Sequence, residues 1–78
     1  MSRLSNLKPE RVVKAFIRAG WELVKTKKGT SHVKLRKEGY SKIVVIPVHR
    51  GKDIKRELLK AELVKAGMTE VEFLDLYK

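Results

Sequence analysis

Apolar positions run at helical spacing near the start of the chain, alternate through its middle, and return to helical spacing towards its end. Val12, Val13, Phe16 and Ile17 repeat as one face of a helix, with Arg11, Lys14 and Arg18 on the other side. Pro9 suits the first turn of that helix, and Gly20 suits the left-handed stop just beyond it. Trp21 to Thr26 is rich in β-formers and ends at Lys27-Lys28-Gly29, a turn composition. His32 to Lys37 alternates strictly, so Val33 and Leu35 face one way and His32, Lys34 and Arg36 the other. Glu38-Gly39-Tyr40-Ser41 reads as the next turn. Lys42 to Pro47 is nearly all apolar, which predicts the best-buried strand, and Pro47, with no amide hydrogen to donate, marks its end.

A loop over 48–52 precedes a second helix from about Asp53 to Ala66, closed by Gly67. Its apolar stripe comprises Ile54, Leu58, Leu59, Ala61, Leu63 and Ala66. Thr69-Glu70-Val71-Glu72 is a capping box that opens a short third helix through Leu76. The expectation is one α+β domain over residues 1–78, an α-β-β-β-α sandwich of the double-stranded-RNA-binding type with a short C-terminal helix. Short turns make the three strands an antiparallel meander, and two amphipathic helices must bury their stripes on one sheet face. The opposite face, carrying His32, Lys34 and Arg36, is left to solvent.

Charge narrows the function classes. Nineteen Lys and Arg against nine Asp and Glu give a net charge of +10. The excess is uneven: residues 1–60 hold 17 basic and 5 acidic side chains, whereas 61–78 hold 2 and 4. Six basic residues and no acid fall between Lys25 and Lys37. Such a run attracts polyanions, chiefly nucleic acid, or an acidic protein partner. A Lys-rich surface of the thermophile kind pairs Lys with Glu, and that pairing is missing here. The basic run lacks the helical pattern and aromatic face of a membrane-surface helix. With no cysteine and two histidines, neither a disulfide nor a closed structural zinc site is expected. The longest apolar run, Ile43 to Val48, is too short to span a bilayer. No apolar leader follows Met1, so the cytoplasm is the expected compartment.

His32 is the sharpest candidate for chemistry. Imidazole takes up and releases a proton near neutral pH. Cleavage of RNA by its own 2′-hydroxyl needs a base, an acid and cations around the phosphorus. A histidine on one face with Lys34 and Arg36 supplies one proton transfer and the electrostatics together, although a lone histidine also suits an ordinary surface position. Ser31 could orient the histidine, contact phosphate or satisfy a turn amide. His49, beside Arg50 and Lys52, is a possible accessory residue or a loop residue bonded to its own backbone. Lys27 and Lys28 join Lys34 and Arg36 as phosphate ligands. Trp21 reads as a core residue, and Tyr40 as a turn residue that could stack on a base. The carboxylates are scattered, with no pair suited to Mg²⁺, and no glycine-rich nucleotide motif is present, so neither a metal nor a small-molecule cofactor is expected.

Several short segments, in this order, resemble the HicA family, the toxin half of toxin–antitoxin pairs. They are Ala19-Gly20-Trp21 after the first helix, Lys28-Gly29-Thr30-Ser31-His32, Ile46-Pro47-Val48-His49, Ala66-Gly67-Met68-Thr69 and Glu72-Phe73. The resemblance covers nearly the whole chain. It implies a double-stranded-RNA-binding-like fold, metal-independent cleavage of mRNA, and a companion HicB-like antitoxin. It also implies that His32 is the catalytic histidine. One departure from the family's Gly-Ser-His motif is Thr30, which separates Gly29 from Ser31-His32 and shifts the turn rather than the histidine. The rival expectations are a non-catalytic RNA-binding domain on the same scaffold and, with less support, a DNA-binding regulator. No consecutive helix-turn-helix pattern favours the last.

Overall fold

A computed structural model describes Leu4 and residues 7–24, 32–48 and 52–78. The element order is α1 (Pro9–Arg18), β1 (Glu22–Val24), β2 (His32–Arg36), β3 (Val44–Pro47), α2 (Arg56–Ala66) and α3 (Glu70–Tyr77). The strands form one antiparallel sheet in the order β1-β2-β3. This is the expected α+β meander with helices before and after it. Glu22 pairs with Arg36, Leu23 with Leu35 and Val24 with Lys34. On the other side of β2, His32 pairs with Pro47, Val33 with Ile46, Lys34 with Val45 and Leu35 with Val44.

That register separates the faces as the alternation predicts. Leu35, Val44 and Ile46 are fully buried and join one core with Val12 and Phe16 of α1, Leu59 of α2 and Phe73 of α3. Trp21 is buried too, with its ring edge-on to Phe16 at 6.3 Å between centroids, so it serves the core. The cover is uneven. Leu23 lies opposite Leu35 yet remains 58 % exposed, because the helices pack over β3 and leave the β1 edge bare.

The helix signals hold at both ends of the chain. Pro9 is in the first turn of α1, and Gly20 has φ +100°, where a side chain would be strained. At α3, Thr69 Oγ1 accepts from Glu72 N–H at 3.1 Å, and Glu72 Oε1 accepts from Thr69 N–H at 3.2 Å, closing the capping box. α3 then packs on α1: Phe73 meets Phe16 at 5.5 Å between ring centroids. Arg18 donates to the Leu76 and Lys78 carbonyls at 2.6 and 2.9 Å, and Arg11 donates to the Tyr77 carbonyl at 3.2 Å. Two basic residues of α1 are thus occupied in tying down the C-terminal helix.

Three details differ from the pattern. Ile17, on the apolar stripe of α1, is 43 % exposed, whereas Val12 and Phe16 of the same stripe are fully buried. α2 starts at Arg56 rather than Asp53: residues 52–55 are not helical, Lys55 is extended, and the Ile54 amide donates to the Leu7 carbonyl at 3.1 Å. Ala61 is exposed, and its neighbour Glu62 turns inward instead. Glu62 Oε1 accepts from the Val45 amide at 2.7 Å, and Glu62 also pairs with Lys65 at 3.0 Å. β3 is an edge strand, so its outward amides need partners, and a buried carboxylate on α2 supplies one.

Candidate functional site

The open sheet face gathers three of the expected site residues. His32, Lys34 and Arg36 alternate along β2 and are all exposed. At roughly 3.3 Å per residue the three span about 13 Å, with about 7 Å between neighbours, a spacing that suits successive units of an extended polynucleotide. Their counter-strand neighbours on this face are Val45 beside Lys34 and Pro47 beside His32.

Lys34 and Arg36 are uncommitted: neither side chain enters a hydrogen bond or an ion pair among the described residues. Glu22 is the cross-strand partner of Arg36, but no ion pair forms between them. Lys37, by contrast, donates to the Ala19 carbonyl at 2.9 Å and lies 5.4 Å from the Tyr40 ring centre. Tyr40 leans on Trp21 at 5.2 Å between centroids and also approaches Gly67. It is therefore a packing residue, still 43 % exposed beside Arg36 in a cleft of about 440 Å³.

His32 lies at the opposite end of the strand, in the wall of a second cleft of about 510 Å³. Val45 and Pro47 extend that wall from the sheet, and Leu58 and Glu62 of α2 close it from the side. Residues 52–55, which lead into α2, complete the rim. Nothing in the one-dimensional pattern signals this meeting of β2 with the entry to α2. The available hint was the density of charge in Lys52-Asp53-Ile54-Lys55-Arg56.

Asp53, in that rim, accepts from Lys8 Nζ at 2.8 Å through Oδ1. This hydrogen bond, and then the carboxylate charge, raise the Lys8 pKa above its ordinary value. Among the described residues, no three His, Cys, Asp or Glu side chains gather as a metal site would require. Lys27, Lys28, Ser31 and His49 lie outside the described residues.

Fold and face together define a small basic α+β domain that presents a histidine and uncommitted cations on the open side of a three-stranded sheet. The family model described as the HicA toxin of bacterial toxin–antitoxin pairs matches residues 9–68, from the start of α1 to just past α2. The chain belongs to that family, and its role is that of the toxin of a toxin–antitoxin pair. Family membership implies a cognate antitoxin. No curated protein sequence matches the chain. No helix among the described residues is long and apolar enough to cross a membrane.

Proposed function

We propose that the chain is a metal-independent endoribonuclease that acts as a toxin on mRNA in the cytoplasm, with His32 as its catalytic proton carrier. The observation that carries this reading is the exposure of His32, Lys34 and Arg36 on one face of β2, inside the segment that matches the toxin family. RNA supplies its own nucleophile. As the O2′–phosphorus bond forms, a base takes the 2′-hydroxyl proton. As the phosphorus–O5′ bond breaks, an acid gives a proton to the leaving oxygen. His32 performs one of these transfers, and the products are a 2′,3′-cyclic phosphate and a 5′-hydroxyl. Lys34 and Arg36 hold the flanking phosphates and stabilise the charge that builds on the phosphorus oxygens. Lys27, Lys28 and Ser31, which precede His32 in the chain, extend the phosphate contacts, and His49 is an accessory candidate for the second proton transfer.

The same face is where the antitoxin binds. Its density of positive charge draws an acidic surface as readily as a polynucleotide, so antitoxin and RNA compete for it. Two measurements test this reading. RNA should be cut in the presence of chelator, whereas DNA and 2′-O-methyl RNA of the same sequence stay intact; loss of cleavage with EDTA and its return with Mg²⁺ would refute the mechanism. In competition, saturating antitoxin should abolish RNA binding, and an unchanged RNA affinity would refute occlusion.

A further inference from the structure

The cleft beside His32 contains two features that phosphate chemistry does not need. One is its apolar wall, made by Val45 and Pro47 from β3 and Leu58 from α2. The other is the Asp53 carboxylate at its rim, between Lys52 and Lys55. A phosphate gains nothing from an apolar wall and is repelled by a carboxylate. A nucleobase fits both, because it has a flat apolar body and an edge of hydrogen-bonding groups.

Asp53 is equipped to read such an edge. Its Oδ1 is occupied by Lys8, while Oδ2 accepts no hydrogen bond among the described residues. The side chain is 33 % exposed. Glu62, the other carboxylate of the cleft, is buried and already holds the Val45 amide and Lys65, so it is not available to a ligand. Lys8 fixes Asp53 in place and offsets part of its charge, which lets a carboxylate stand close to a polyanion.

We propose that this cleft receives the base of the nucleotide next to the scissile phosphate, and that Asp53 selects a base bearing an exocyclic amine over uracil. The proposal rests on the RNA reading above. A carboxylate only accepts hydrogen bonds. Cytosine, adenine and guanine each offer it an amine. Uracil offers one N–H flanked by two carbonyl oxygens, which face the carboxylate as like charges. The cations Lys52 and Lys55 lie at the rim, where the sugar-phosphate backbone of the seated nucleotide runs. Asp53 is thus a specificity residue beside the catalytic one.

The test uses 2′-O-methyl pentamers of cytidine and uridine, which the enzyme cannot cut, titrated against the intact protein by fluorescence anisotropy. Comparing two pyrimidines keeps ring size constant, and the Asp53→Asn arm controls for what remains of their difference in stacking. The wild-type chain should bind the cytidine pentamer about tenfold more tightly, the worth of one hydrogen bond to a charged group. Asp53→Asn should shrink the preference to within about twofold, since an amide can present either a donor or an acceptor. Lys8→Met releases Asp53 from the ion pair that positions it but keeps the acceptor, so part of the preference should persist. Equal affinities in the wild type, or an undiminished preference in Asp53→Asn, would overturn the proposal. So would a Lys8→Met protein that loses the preference as fully as Asp53→Asn. The nuclease reading fails on a separate measurement: ribo-oligonucleotides left uncut, with the cytidine preference intact, would refute cleavage and leave the base site standing.

Discussion

Replacing the buried Glu62 with alanine should loosen the seam between α2 and β3. The Val45 amide points outward from an edge strand and donates to Glu62 Oε1 at 2.7 Å. A net hydrogen bond to a charged group contributes about 1.5–3 kcal/mol, and its loss leaves the amide without a partner. The accompanying Lys65 pair at 3.0 Å is more than a third exposed on the lysine side, so it adds only a few tenths of a kcal/mol. Alanine is an excellent helix former, so α2 itself suffers no propensity penalty. The sum is about 2–3 kcal/mol, equivalent to a fall in Tm of roughly 10–20 °C for a domain of this size. Glu62→Gln keeps an acceptor at the same place and should cost about 1 kcal/mol, the difference between a charged and a neutral hydrogen bond. Urea unfolding followed by circular dichroism measures both, and the slope with denaturant should stay constant. A loss below about 0.5 kcal/mol in Glu62→Ala would show that the buried carboxylate does not hold the edge. A glutamine variant as damaging as the alanine one would mean that charge, rather than the hydrogen bond, sets the stability.

Three further outcomes follow from the same geometry. Phe73→Ala empties the contact between α3 and α1 and should cost about 3–5 kcal/mol, enough to leave much of the chain unfolded at 37 °C in a thermal melt. Gly20→Ala should destabilise more than Gly39→Ala: both glycines have positive φ, but a Cβ at Gly20 meets Lys37 Cε at 3.3 Å, whereas one at Gly39 meets nothing within 4 Å. Equal Tm losses would refute that ranking. Lys34→Ala and Arg36→Ala should each reduce the slope of log affinity against log salt for single-stranded RNA by about 0.7, the contribution of one phosphate contact, with Tm unchanged; an unaltered slope would remove that residue from the phosphate track.

Much of the fold was legible because it rests on local chemistry. Proline at the head of α1, the Thr69–Glu72 box and the strict alternation of β2 each act within a few residues, and each is found where the pattern puts it. The coarse placement of His32 with Lys34 and Arg36 follows from the same alternation. What was not legible depends on distant partners. Ile54 reads as the start of the α2 stripe, yet its amide is held by Leu7, forty-seven positions earlier, and this keeps it out of the helix. Ala61 and Glu62 exchange the expected sides because the edge of β3 needs an acceptor, a demand visible only once α2 lies beside that strand. The cleft is invisible for the same reason: it joins β2 and β3 to residues just before α2, and Asp53 takes its position from Lys8.

The catalytic role of His32 stands or falls on His32→Ala. The side chain is exposed on the face opposite Leu35, so its removal opens no core cavity and should leave Tm within about 2 °C of the wild type. With purified proteins, a defined single-stranded RNA and chelator present, the wild-type chain should produce fragments ending in 2′,3′-cyclic phosphate. The variant should cut about 10²- to 10⁴-fold more slowly, the usual share of one positioned proton carrier, while retaining most of its RNA affinity. A folded His32→Ala protein that cleaves at the wild-type rate would contradict the assignment of His32.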